Sequence, residues 1–190
     1  MRKMWTRAEC EALARFEPFQ SQRLELIEGD LIDKMSKGLL HPLTVSLILE
    51  WLAAVFGLRF VQQERSIDLA PPDNRTSEPE PDLVVLAREI GEFATRRPGP
   101  GDIRLVIEVA DTTLRFDLST KARLYAAAGF AEYWVADIRN RRIHVHRDPA
   151  ASAYRSILAY SAGEEVSPLA APEAKLRVED MFADPAQTSA

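Results

Sequence analysis

Cysteine occurs once in the 190 residues, at Cys10. One thiol excludes an internal disulfide framework and a cysteine-based zinc site. Histidine is scarce too: His41, His144 and His146 are the full set, and they do not form the HExxH spacing of a helical zinc site. No glycine-rich loop is present to cradle a phosphate, so a nucleotide-binding βαβ site is not expected. No apolar run approaches the ~18 residues that a membrane crossing requires. The first ten residues, MRKMWTRAEC, carry charge but no apolar stretch of a secretory signal, so a cytoplasmic location is the expectation. Positive charge is not in excess: the formal net charge is −5 and the pI about 5.3, against a protein held on nucleic acid by charge alone. A nuclease stays open, because a site for divalent cations needs acids of its own. Arginines gather locally at Arg96-Arg97, at Arg115 with Lys121 and Arg123, and at Arg139, Arg141, Arg142 and Arg147. Each cluster also reads as a solvated face.

What is present is ordinary for a folded domain, 46% hydrophobic and 28% charged residues. The length suits one domain, expected over 1–182, with a disordered tail over 183–190. Thr6 with Glu9 predicts a capping box and a short helix to about Phe16. Alternation around Glu28-Gly29-Asp30 predicts a β-hairpin over Leu24–Met35. The apolar spacing from His41 to Phe56, with Pro42 in the first turn and Gly57 at the end, predicts a buried helix. Strands are predicted at Arg59–Leu69, Leu83–Leu86, Ile103–Val109, Glu132–Ala136, Arg142–Arg147 and Tyr154–Tyr160. Pro71–Pro81 and Arg88–Asp102 read as loops. A helix is expected over Asp117–Ala128, capped by Asp117 or Ser119 and ended by Gly129. Strand, helix and strand between Ile103 and Ala136 make a βαβ unit with parallel strands. The fold class is therefore α/β, a mixed sheet flanked by helices with added β-hairpins.

Two acids interrupt apolar strands. Asp82 opens the Leu83–Leu86 strand and Glu108 lies near the end of Ile103–Val109. A charge on a buried strand is costly unless it is paired or binds a cation. Antiparallel pairing of the two strands would bring both acids to one edge of the sheet. An all-oxygen site of this kind suits Mg²⁺ or Mn²⁺. The crossover helix starts at the same edge, so Lys121 can project toward Glu108, with Asp117 and Tyr125 at i−4 and i+4 on the same helix face. A lysine there could stabilise charge growing on phosphorus. Taken singly, Asp82 also reads as a cap, Glu108 as half of a structural ion pair, Lys121 as a surface residue and Tyr125 as core. His144 and His146 alternate on one strand face and read as a solvent-facing pair. Trp5, Trp51 and Trp134 read as core.

Pro81-Asp82 followed by Glu108-Val109 resembles the signature of the PD-(D/E)XK nuclease superfamily. More closely, the chain resembles the restriction-endonuclease-like endonuclease family of bacteria. The matching pieces are Glu25 to Gly29, His41 at the helix start, Pro81 to Val85, Glu108-Val109, Asp117 with Lys121 and Tyr125, and Gly129 before Glu132 to Val135 and Asp137. The similarity spans Arg23 to Arg147, and the stretch from Gly129 to Asp137 is its most specific piece. The resemblance implies a restriction-endonuclease-like fold that binds a divalent metal and cleaves DNA. It makes Asp82 and Glu108 metal ligands, with the Val109 carbonyl as a third, and Glu25 an auxiliary acid reaching the ion through water. Two positions depart from the pattern. Ala110 stands where the superfamily carries its lysine, and Lys121 is the natural substitute. Asp111 stands where serine is common, as a fourth acid or a loop cap.

The reading of the sequence is thus a Mg²⁺-dependent endonuclease (Mn²⁺ serving as well), acting on DNA by in-line attack of water on phosphorus. Asp82, Glu108, Lys121 and Glu25 form its catalytic set, and His41, Arg115, Arg123 and Tyr125 contact substrate. A homodimer is expected. The alternative is a catalytically inactive module on the same scaffold that binds DNA or a protein partner. A glycosidase built on Asp82 and Glu108 is disfavoured by the lysine beside them and by the lack of a sugar-stacking aromatic run.

Overall fold

The computed structural model describes residues 2–20, 22, 24–34 and 38–183. Its centre is a six-stranded mixed sheet in the order β3-β4-β5-β6-β7-β8. These strands are β3 (Val61–Gln63), β4 (Leu83–Leu86), β5 (Ile103–Ala110), β6 (Glu132–Asp137), β7 (Arg142–Ala150) and β8 (Ala153–Tyr160). Only β5 and β6 run parallel; every other neighbour is antiparallel. A parallel pair needs a crossover, which the helical segment between β5 and β6 supplies. The β4–β5 register sets Leu83 against Ile107, so Asp82 and Glu108 are adjacent at one edge of the sheet.

Helices cover both faces. On one, α3 (Leu40–Phe56) buries Val45, Ile48 and Leu52 against Leu83, Val85, Ile107 and Trp134. Leu52 is fully buried, which contributes roughly 1.5–3 kcal/mol relative to exposure. The helix ends at Gly57, whose φ of 86° suits a residue without Cβ. On the other face, α4 (Leu114–Phe116) runs through a π-helical turn (Asp117–Lys121) into α5 (Ala122–Ala128). Leu124, Tyr125 and Ala126 pack there against Val84, Val106, Tyr133 and Val135.

The smaller elements agree with the sequence in kind. Thr6 and Glu9 form the capping box of α1 (Arg7–Leu13), and one further turn, α2 (Glu17–Gln20), follows. β1 (Leu24–Ile27) and β2 (Asp30–Asp33) form the expected hairpin. Its turn residues Glu28 and Gly29 both have positive φ, 51° and 81°, as a two-residue hairpin turn requires. Met35 and Arg23, at the outer bounds of the sequence readings, lie outside the described residues, as do 184–190 of the expected tail. A last pair, β9 (Glu165–Val166) with β10 (Leu176–Arg177), stands apart from the main sheet.

Four expectations are corrected. The strand predicted over Arg59–Leu69 shrinks to β3, because Leu58–Phe60 is a 3₁₀ turn and Glu64 takes a φ of 45° that leaves the ladder. Beyond β3 the alternation reports burial of Ile67 and Leu69 rather than strand pairing. The helix predicted from Asp117 begins three residues sooner, at Leu114, so neither Asp117 nor Ser119 caps it. His146 is not solvent-facing: it is 1% exposed, packed between Tyr133 and Tyr154, and His144 is half-buried beside it. β8 pairs with the outer side of β7, and α5 lies against both strands, so that face is covered. Trp134 is buried and Trp51 stacks on it, but Trp5 is only half-buried, beneath the Lys3 ammonium.

Candidate active site

Asp82 sits where the proline-rich loop enters β4, and its Oδ2 accepts the Val109 N–H at 2.8 Å. That bond ties the start of β4 to the end of β5. The same Oδ2 lies 3.3 Å from His41 Nε2, at the first turn of α3. Glu108 accepts on one oxygen, Oε1, from Lys121 Nζ at 2.9 Å and from the Tyr125 hydroxyl at 2.8 Å. Lys121 also lies 3.0 Å from Glu25 Oε1, which accepts the Glu80 N–H at 2.8 Å. β1 therefore joins the site through the chain leading into Asp82.

The π turn explains why the helix can deliver several groups at once. An α-helix advances 100° per residue, so positions i, i+4 and i+8 drift around its axis. The wider turn over Asp117–Lys121 reduces that drift, and Asp117, Lys121 and Tyr125 all end up buried on the sheet side. Single π turns inside α-helices are frequent at functional sites. Asp117 accepts a hydrogen bond from the Thr113 hydroxyl at 2.6 Å.

These groups line a cavity of about 240 Å³ with Phe116 and Ile32 among its apolar walls. Glu25, Asp82, Glu108 and Asp117 are each 3–4% exposed, with the Lys121 ammonium and the His41 imidazole among them. Lys34, also on the cavity wall, spends its ammonium on the Glu80 carbonyl and carboxylate. Burial pushes the Glu108 carboxyl up to about 8, with Lys121 opposing and Asp82, Asp117 and Glu25 reinforcing the shift. Burial likewise raises Asp117. Lys121 is raised despite its own burial, because Glu108, Glu25 and Asp117 all favour the ammonium. The two shifts pull in opposite senses on one ion pair, and the charged lysine is the firmer of the two. Three carboxylates sustain it, whereas Glu108 competes with its acid neighbours for that single ammonium.

Of the residues singled out in the sequence, Glu25, His41, Asp82, Glu108, Val109 and Lys121 all line this one cavity. Tyr125, expected at the substrate, is fully buried and spends its hydroxyl on Glu108. Arg123 is exposed and paired with Glu28, and Arg115 is exposed on α4. Asp111 lies at the rim, 3.1 Å from Arg139. Asp117 was legible only as a helix cap or as a neighbour of Lys121, and its burial makes it a further acid of the site. Among the described residues no three His, Cys, Asp or Glu side chains already stand at metal-binding spacing. No helix among them is long and apolar enough to cross a membrane.

A mixed sheet sandwiched by helices, with two acids and a lysine at the edge where β4 and β5 meet, defines a restriction-endonuclease-like protein. Residues 9–179 match the Uma2 family, described as "Putative restriction endonuclease", and the chain belongs to that family. A solved structure described as a "putative nuclease belonging to DUF820 from Anabaena variabilis ATCC 29413", determined at 1.96 Å, shares the fold with a TM-score of 0.66. It is 18% identical, over 91% of this chain and 96% of that one, a level that bears on the fold alone. No functionally curated protein matches the sequence.

Proposed function

We propose that this protein is a metal-dependent endonuclease that hydrolyses phosphodiester bonds of DNA, with Mg²⁺ or Mn²⁺ as its ion. The observation that carries the reading is the adjacency of Asp82 and Glu108 at the sheet edge with the Lys121 ammonium 2.9 Å from Glu108. The donor set fits a hard cation, since it is all oxygen and holds more buried negative charge than Lys121 balances. Asp82, Glu108 and the Val109 carbonyl would hold the ion. When bound, it would polarise the phosphoryl oxygens and lower the pKa of water.

The chain's own groups do the rest. Lys121, held between Glu25 and Glu108, offers its ammonium to the charge that develops on the phosphoryl oxygens. Tyr125 and the Val109 N–H fix the carboxylates of Glu108 and Asp82 in place. His41 reaches the substrate side of Asp82, and Arg115 and Arg123 contact backbone phosphates outside the cavity. The protein acts in the cytoplasm as a homodimer. Supercoiled plasmid incubated with Mg²⁺ or Mn²⁺ tests the reading. Nicking is expected from the wild type and its loss from Asp82→Ala and Lys121→Ala, and equal behaviour of all three would remove it.

One observation favours a second reading, a non-catalytic module that binds DNA or a protein. Lys121 already satisfies two of the acids, and no three-ligand group is assembled among the described residues. Binding of DNA in EDTA with no cleavage in any divalent ion would support it.

A further inference from the structure

We infer that Glu25 serves Lys121 rather than the ion: it is a positioning residue that aims the ammonium, and it does not share in holding the metal. The inference rests on the metal-dependent reading above. Its basis is the order of groups across the cavity. Asp82 and Glu108 are neighbours by strand register, and Asp82 is tied to β5 through the Val109 N–H. Glu25 arrives from a different element, β1, and its ion pair in the cavity is with Lys121, whose Nζ lies 3.0 Å from Glu25 Oε1 and 2.9 Å from Glu108 Oε1.

The anchoring of Glu25 agrees. The oxygen that faces the ammonium also accepts the Glu80 N–H at 2.8 Å, so backbone fixes it on the lysine. A long, flexible ammonium has three rotatable donors and costly rotamer freedom. Two carboxylates and a buried stem hold it to one direction. With Glu108 engaged by the cation, Glu25 would be the remaining anchor of the lysine.

Manganese titration calorimetry and plasmid cleavage, run on the same proteins, test this. Glu25→Gln keeps the shape and the acceptor for Glu80 but removes the charge. Its Mn²⁺ affinity should fall far less than that of Asp82→Asn, because a neighbouring charge is removed and no ligand. Its cleavage rate should fall by about a hundredfold, as small misplacements of a catalytic group do. Asp82→Asn should lose Mn²⁺ binding altogether. The double variant Glu25→Gln/Lys121→Gln should be no slower than Lys121→Gln alone, a comparison that holds even where the single Glu25 variant is less stable. If Glu25→Gln loses Mn²⁺ as Asp82→Asn does, cleaves as wild type, or multiplies the defect of Lys121→Gln, the assignment is overturned while the metal site stands. If wild type binds no Mn²⁺, or Asp82→Asn binds it unchanged, the metal-dependent reading itself fails and takes this inference with it.

Discussion

Lys121 and Glu108 are thirteen residues apart in sequence, and their side chains meet at 2.9 Å with both groups about 95% buried. The βαβ crossover makes that meeting possible: β5 delivers the acid at its C-terminal end, and the helix that leaves the same edge returns the lysine about two turns later. A buried pair of this kind contributes little net stability over an apolar pair, yet breaking it leaves an uncompensated charge.

The first prediction concerns pH. The Glu108 carboxyl titrates near 8 in the folded protein and near 4.5 in the free chain. Between those values the folded state holds a proton that the unfolded state has released, so this group's contribution to stability declines as pH rises from about 4.5 to about 8. Other groups titrate in the same range; His144 and His146, lowered by burial, act with the opposite sign. The difference between wild type and Glu108→Gln isolates the effect. Melting temperatures at pH 6 and pH 8 should show the variant gaining on wild type at the higher pH. Added Mn²⁺ should raise the wild-type melting temperature more at pH 8, because ion and proton compete for the same oxygens. A constant gap between the two proteins would remove the raised pKa.

Lys121→Met separates charge from shape. It leaves four buried carboxylates without their ammonium, and removal of one partner from a buried pair costs about 3–5 kcal/mol. The loss should be large at pH 8 and shrink toward pH 5, where the acids take up protons. Urea denaturation at the two pH values measures it. A variant equally stable at both would mean that the lysine balances nothing.

Asp82 and Glu108 were legible because each violates an apolar strand pattern, and pairing geometry then placed them together. Lys121 followed from the direction a crossover helix must take. Asp117 shares the Lys121 face by its i−4 spacing, but an acid near a predicted helix start also looks like a cap, so it is not counted with the site's acids. The earlier start at Leu114 and the π turn remove the capping role and leave Asp117 buried, and neither leaves a mark in apolar periodicity. His146 reads as solvent-facing because alternation tells which residues share a face, not whether α5 and β8 cover that face. β3 was overextended for a related reason, since buried residues alternate equally well in an irregular segment such as the one after Glu64.

Tyr125→Phe should weaken the site without unfolding the protein. The ring stays packed edge-on to Phe130 and Tyr133, and the hydroxyl's hydrogen bond to Glu108 is lost, worth about 0.5–1.5 kcal/mol. Glu108 then keeps Lys121 as its donor and gains freedom to turn. Cleavage should fall by about tenfold, in line with a 1.4 kcal/mol change, with Mn²⁺ affinity reduced in parallel. Unchanged metal affinity and rate would show that Glu108 needs no second donor.

A final prediction lies away from the cavity, at His146. Its ring is enclosed by Tyr133 and Tyr154, with centroids 5.2 and 5.6 Å away, and its Nδ1 is buried without a hydrogen-bond partner among the described residues. Burial lowers its pKa, which keeps the ring neutral at physiological pH. An unsatisfied buried polar atom costs about 1–3 kcal/mol, and replacing it with an apolar group of similar shape relieves that cost. His146→Phe should therefore raise unfolding stability by roughly 1 kcal/mol, the phenyl ring joining the tyrosine pair in an edge or offset contact. Plasmid cleavage should not change, since the residue lies one strand beyond β6 and does not line the acid cavity. A less stable variant would show that ordered solvent serves Nδ1, and that this imidazole holds the α5 face of the sheet by hydrogen bonding rather than by packing.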